Sequence, residues 1–417
     1  MENTNIGENI KEKLGPKKAH KKLSRFLRKL LLPFLTVILI LALTAGGAFG
    51  YWQFTQLQSN KQQMNQQLDA AKQGYEALQQ EFDAFKTTDQ VQRNDVLEKE
   101  IADLLKVFKD SLGTYEELLD LKLESKKTKE LEEEWSTVLS QLSLRNYASA
   151  SATLVSLNNE VKEMQKTVAS SAVAAISPAN VPVNNTPPAS GYSRQTVQTE
   201  IGQFVVDIIS ADLSSTKVVV DTASEGTCTN DCPVASLASF AGRSGAYAGI
   251  NGPYFCPAAY PSCAGKTNSF DTLLMNKNKV YFNSENNVYS TVPAAIFSTT
   301  ARFVGQSLEW GRDTGVDSVI AAQPLLVSDG QPRFGGDGDA KKGSKGNRSF
   351  IGATDGTVYI GIVRNATVAE VSQVLAKMGM KYALNLDSGG STALWLNGKY
   401  LAGPGRDTPF SILLVRR

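Results

Sequence analysis

The hydrophobic positions of the chain change their period along its length. From Leu30 to Trp52 the sequence runs LLLPFLTVILILALTAGGAFGYW without one charged residue. Roughly 20 apolar residues suffice to cross the hydrocarbon core of a bilayer, so this run predicts a membrane-spanning helix. From Gln53 to about Val168 apolar residues instead recur three and four apart. Leu57, Met64, Leu68, Ala71, Tyr75, Leu78, Phe82 and Phe85 form a first seam, which loosens around residues 86–93. It resumes with Leu97, Ile101, Leu104, Phe108, Leu112, Tyr115 and Leu119, and later with Leu157, Val161, Met164 and Val168. That spacing predicts an all-α coiled-coil stalk over residues 53–168. It suits either a parallel homo-oligomer or an antiparallel hairpin. The charged residues of the stalk read as a solvated face, with no catalytic feature.

Residues 169–193 change abruptly to Ser, Ala, Pro and Asn, which predicts a flexible linker. Beyond it the pattern is that of strands bounded by turn residues: Phe204–Ile209, Lys217–Asp221, Val358–Val363 and Ser411–Val415. Pro233–Ala241 and Val368–Met378 read as helices, the second with Val371, Val374, Leu375 and Met378 on one face. Residues 194–417 are therefore expected to form one α+β domain, a mixed sheet with helices, of a size that buries a substantial core.

Charge fixes an orientation for this plan. Lys11, Lys13, Lys17, Lys18, Lys21, Lys22, Arg25, Arg28 and Lys29 crowd the first segment, against Glu2, Glu8 and Glu12. Basic flanks stay on the cytoplasmic side. Residues 1–29 are thus expected in the cytoplasm, residues 30–52 as a single-pass signal anchor in the cell membrane, and the rest outside. Tyr51 and Trp52 would mark the outer interface. A cleaved signal peptide ending near Ala45-Gly46-Gly47 is the rival reading, which the long basic head and the helical stalk disfavour. The net charge of +2 gives no support to nucleic-acid binding. The four cysteines, Cys228, Cys232, Cys256 and Cys263, lie close together. In an exported domain they read as two local disulfides, 228–232 and 256–263. A zinc site is the alternative, but the spacings are not a pair of Cys-x-x-Cys knuckles.

The chemistry narrows by elimination. The single histidine is His20, on the expected cytoplasmic side. The outer part then has no Ser-His-Asp triad, no Cys-His dyad and no His metal ligand. Carboxylates, hydroxyls, amides, guanidinium groups and backbone N–H groups remain, a set suited to glycosyl and phosphoryl chemistry. Four glycine-bearing stretches concentrate such groups: Ala248–Phe255 (AGINGPYF), Gln323–Gly330 (QPLLVSDG), Asn347–Gly352 (NRSFIG) and Asn385–Thr392 (NLDSGGST), the last followed by Gly405–Pro409 (GRDTP). Each alone also reads as structure, since Asn-Gly and Asp-Gly are common hairpin turns.

Taken in order, these four stretches resemble the phosphodiester glycosidase family over about residues 200–417. The Asn-Leu-Asp-x-Gly-Gly-Ser element is the most specific of them. Departures are Ser388, where family members often carry Gly, and Pro253, where they carry Gly or Thr. The resemblance implies hydrolysis of a sugar-1-phosphodiester, releasing the sugar and leaving a phosphomonoester. Asp387 is then the expected nucleophile or general base at the anomeric carbon. Gly389 and Gly390 would let backbone N–H groups approach the phosphate, with Ser391 and Thr392 donating to its oxygens. Arg348 would grip the phosphate. Asn251 and Gly252 would position the sugar against a wall of Tyr254 and Phe255. Arg406 and Asp407 are further candidates, as are Lys266 and Asp271. No cofactor is called for, although carboxylates leave room for a divalent cation. The expected partner is a phosphodiester-linked glycan or wall polymer of the cell envelope, such as an exopolysaccharide. A non-catalytic glycan-binding module on a stalk, and a structural envelope protein, are the competing readings.

Overall fold

The computed structural model describes residues 20–86, 89–174, 180–287, 291–312 and 315–417. The chain divides into two compact units, Met1–Glu98 and Lys99–Arg417. In the first, helix α1 (His20–Lys86) is continuous through Pro33. From Pro33 onward it contains a window long and apolar enough to cross a membrane, and that window is not buried inside the protein. Leu57, Met64, Leu68, Tyr75, Leu78, Phe82 and Phe85 are exposed on it, so the first predicted seam lies on an exposed helix face. Lys11, Lys13, Lys17 and Lys18 of the basic head lie outside the described residues.

The second unit takes in helix α2 (Asp89–Glu124) from Lys99 onward, then α3 (Lys129–Ser143) and α4 (Tyr147–Ala174). Leu118 and Leu121 of α2, Leu131 of α3, and Leu157 and Val161 of α4 share one buried cluster. Val107, Val138, Ala150 and Leu154 form a second. Here the helices pack on one another. The seam on α2 is displaced by one residue from the expected one: Val107, Ser111, Thr114, Leu118 and Leu121 are buried, whereas Phe108 stays exposed. Both stripes have the three-four spacing, and the neighbours decide between them. Trp135 of α3 stacks on Tyr115 with ring centroids 4.2 Å apart, and its Nε1 donates to the Ser111 carbonyl at 3.3 Å.

The predicted linker is shorter than its composition suggests. Residues 169–174 continue α4, residues 175–179 lie outside the described residues, and a strand already begins at Gly191. Between them the chain is stitched to that strand. Asn184 N–H donates to Thr196 O at 2.9 Å, and the buried Gln195 amide donates to the carbonyls of Asn184 and Thr186.

Among the described residues three antiparallel sheets follow, in place of the mixed sheet expected. The seven-stranded sheet runs, in spatial order, Gly191–Thr199, Gly202–Asp212, Thr357–Ala366, Gly346–Thr354, Tyr382–Asn385, Leu325–Ser328 and Gln331–Pro332. A five-stranded sheet orders Lys399–Ala402, Leu394–Leu396, Ala248–Asn251, Phe410–Arg416 and Thr216–Thr222. A third sheet centres on Leu274–Met275, Ser318–Ala321 and Ala294–Phe297. One core joins them through Ile209, Ile360, Ile250, Ile412, Phe297 and Ile320. Adjacent residues Ile208 and Ile209 enter different cores, as strand alternation requires. The outer face of the large sheet is covered by the helix Val368–Lys377, opened by a Thr367/Glu370 capping box and burying Val371, Val374 and Leu375. The helix expected at Pro233–Ala241 begins later, at Leu237, and ends at Ser244. Ala235 is held extended by pairing with Thr408, and Ser236 caps the helix by accepting from Ser239 N–H. Cys228 is bonded to Cys232 and Cys256 to Cys263.

Candidate active site

Asn385–Ala393 is where the chain leaves one sheet for another. Tyr382–Asn385 belongs to the seven-stranded sheet and Leu394–Leu396 to the five-stranded sheet. The crossing segment is pinned from both sides. Leu386 N–H donates to Ser349 O at 3.0 Å, and Asp387 N–H donates to Gly252 O at 3.1 Å. Asn251 closes the joint. Its Nδ2 donates to the carbonyls of Asp387 (2.7 Å) and Gly252 (3.1 Å), while its Oδ1 accepts from the Ser349 hydroxyl (2.9 Å) and Ala393 N–H (3.1 Å). With 1% exposure it has no reach into a cavity. The structure therefore moves Asn251 from sugar ligand to clamp. Gly252 is likewise buried, and a side chain there would run into the Phe410 ring.

Above this joint Asp387 borders a cavity of about 330 Å³, together with Ser388, Gly389 and Ser391. Ser388 N–H donates to Asp387 Oδ1 at 2.9 Å, and the Ser391 hydroxyl also bonds the carboxylate. Burial nevertheless pushes the carboxyl up to about 6, against those hydrogen bonds and the positive charge of Arg406. A carboxylate titrating there is poised for acid–base or nucleophilic work near neutral pH. Tyr254 and Phe255 line the same cavity. The Tyr254 hydroxyl accepts from Asn385 Nδ2 at 2.8 Å, and burial pushes that phenol up to about 12.

The other expected residues divide. Arg348 lines the cavity but directs Nε to Ala366 O, and Nη2 to the carbonyls of Lys341 and Ser344. It ties down the 341–344 loop, so those donors are unavailable to a phosphate. Arg406 is better placed: Nη2 pairs with Asp120, while the buried Nε and Nη1 find no hydrogen-bond partner among the described residues. Its approach explains Gly390, where any Cβ would collide with Nη2 and lie 2.6 Å from Leu123 Cδ1. Gly389 has φ +61°, the left-handed turn that glycine adopts at no cost. Thr392 is buried, donates its hydroxyl to Asn347 O at 3.3 Å and does not line the cavity. Asp407, Lys266 and Asp271 are exposed and do not line it. Among the described residues no group of three or more His, Cys, Asp or Glu side chains could hold a metal ion.

Sequence reasoning missed one wall completely. Glu116, Glu117 and Asp120 of α2 line the cavity. Asp120 accepts from Arg406 and from the Tyr260 hydroxyl, and Glu116 pairs with Lys341 at 3.0 Å. Burial and Asp120 together raise the Tyr260 phenol. Nothing in TYEELLD distinguishes these acids from a solvated helix face.

No curated protein matches the chain. Among solved structures, a hypothetical protein from Synechocystis is similar at 13% identity and a TM-score of 0.40, covering 54% of this chain and 62% of that one. The chain thus spans less than two thirds of that structure. The zebrafish N-acetylglucosamine-1-phosphodiester alpha-N-acetylglucosaminidase catalytic domain, auto-inhibited by its pro-peptide, is similar at 15% identity and a TM-score of 0.43, covering 57% of this chain and 87% of that one. A putative exported protein from Burkholderia pseudomallei gives 12% identity and a TM-score of 0.33, covering 51% and 74%. Residues 244–415, which hold Asp387, Arg348 and Arg406, match the phosphodiester glycosidase family, the one that the four sequence stretches resemble.

Proposed function

We propose that this chain is a membrane-anchored glycosidase that hydrolyses a sugar-1-phosphodiester of a cell-envelope glycan. The observation that carries it is a single cavity lined by two residues of the family-matched segment, Asp387, a carboxylate raised by burial, and Arg406, whose positive charge acts on it. The anomeric C–O bond to phosphorus breaks, and the phosphate keeps that oxygen and its electron pair. Water supplies the hydroxyl that the sugar gains, after attack by the Asp387 carboxylate or with Asp387 accepting the water proton. Arg406 stabilises the charge that grows on the departing phosphomonoester. A phosphate leaving group makes little demand on a general acid, which fits a site built without histidine. The apolar window of α1 is the anchor of this reading, and the two disulfides suit an extracytoplasmic domain.

The test is a panel of sugar-1-phosphodiesters, N-acetylglucosamine-1-phosphodiesters among them, offered to the protein with product configuration followed by NMR. Cleavage with release of the free sugar supports the reading. Binding of these compounds without cleavage assigns a glycan-binding module instead. Because Asp387 acts ionised, turnover is expected to rise with pH through a midpoint near 6 and to fall to about a tenth by pH 5. A profile flat between pH 5 and 8 rejects Asp387 as the titrating group.

A further inference from the structure

We infer that Asp120 of α2, outside the family-matched segment, is a positioning residue of this site, acting through Arg406. The inference deepens the proposed function and rests on its placement of an anion beside Arg406.

Three features support it. The Asp120 carboxylate is shared between Arg406 Nη2 and the Tyr260 hydroxyl, so it fixes the guanidinium and the aromatic wall together. The Arg406 guanidinium carbon lies 5.1 Å from the Tyr260 ring centroid, which holds the cation over a π face. The same turn of α2 seats against the glycine pair of the crossing segment. Asp120 Oδ2 is 3.6 Å and Leu123 Cδ1 is 2.6 Å from where side chains at Gly389 and Gly390 would begin. The missing side chains of that pair therefore admit Arg406 and α2.

The charge inventory shows why a helix is needed. The family-like part supplies four cations to the cavity lining, Lys341, Lys345, Arg348 and Arg406, against the single carboxylate of Asp387. Helix α2 adds Glu116, Glu117 and Asp120, which balance the count. Arg406 is largely buried, and without Asp120 its guanidinium would have no hydrogen-bond acceptor among the described residues. One pairing at Nη2 sets its orientation and leaves Nε and Nη1 uncommitted. Residues 194–417 alone would hold the nucleophile and the arginine without the group that aligns them.

A double-mutant cycle tests this, read by inorganic phosphate binding in calorimetry and by kcat/KM on whichever diester the panel finds. Asp120→Asn is expected to weaken phosphate binding and to lower kcat/KM by about tenfold or more, and Arg406→Gln to do at least as much. The double variant should be no worse than Arg406→Gln alone, because Asp120 acts through it. Asp120→Glu, which keeps the charge, should recover part of the loss, and melting curves establish that each variant is folded. Additive effects, unchanged binding, or no phosphate binding by the unaltered protein overturn the assignment. So does tighter binding in Asp120→Asn, which would make α2 a competitor for the guanidinium. The binding arm needs no turnover, so a protein that binds phosphate through this pair yet cleaves no diester refutes the proposed function alone.

Discussion

Asp387→Asn is expected to abolish hydrolysis, with kcat falling at least about a thousandfold, as when other enzymes lose the group that acts on the reacting bond. The fold should survive and even gain. In the folded protein the carboxyl is raised from 3.8 to about 6, so the native state holds its proton more tightly than the unfolded chain. The stability this contributes is fully present below pH 3.8 and is lost as pH rises through 6. At pH 7.5 the ionised carboxylate is thus a burden on the native state, which a neutral amide of the same shape removes. Turnover and thermal melts at pH 7.5 check both halves. A melting temperature no lower than that of the unaltered protein, with activity gone, is the expected pair of results. Wild-type turnover in this variant would place the chemistry elsewhere.

Asn251→Ala should be the most damaging single change to the joint beneath the site. Four hydrogen bonds disappear: the carbonyl of Asp387, the Ser349 hydroxyl and Ala393 N–H lose the partner that Asn251 gives them, while the Gly252 carbonyl keeps only the bond from Asp387 N–H. Leaving a buried polar group unpaired costs roughly 1–3 kcal/mol, so a loss of about 3–5 kcal/mol overall is expected, with incomplete additivity. Urea unfolding should show a lower midpoint with an unchanged slope. Activity of the folded fraction should fall as well, because the Asp387 backbone is no longer held. Full activity with only a stability loss would mean that Asp387 is aligned by its other contacts.

The elements that were legible in the sequence are those whose pattern is local. The four strand segments and the apolar face of Val368–Lys377 follow from periodicity. The cysteine pairs follow from proximity in the chain. Less legible was anything decided by a distant partner. Asn251 and Arg348 carry the right groups for a ligand, but neighbours 142 and 18 residues away in sequence consume their hydrogen bonds. The stripe on α2 slipped by one residue because two adjacent stripes are equally periodic, and packing against α3 and α4 selects one. Composition alone made residues 180–193 a linker, although the buried Gln195 and backbone bonds to Thr196 hold part of them on the sheet. The acidic wall on α2 was the largest omission, since charge on a helix surface reads the same whether it meets water or a guanidinium.

The Cys256–Cys263 bond has a consequence for when the cavity can exist. It closes the loop that carries Tyr260, directly after Tyr254 and Phe255, so three residues of one wall are tethered by it. While the thiols are reduced, both sheets and the Asp387 joint can already stand, because none of their hydrogen bonds passes through sulfur. The wall against Asp120 is then held by backbone hydrogen bonds at its base, Cys256 N–H to Ser269 O and Asn268 N–H to Cys256 O, and by side-chain contacts. Oxidation thus adds the last tie to a scaffold that already stands, and a chain with reduced thiols keeps that scaffold with one tie fewer on the Tyr260 side of the pocket.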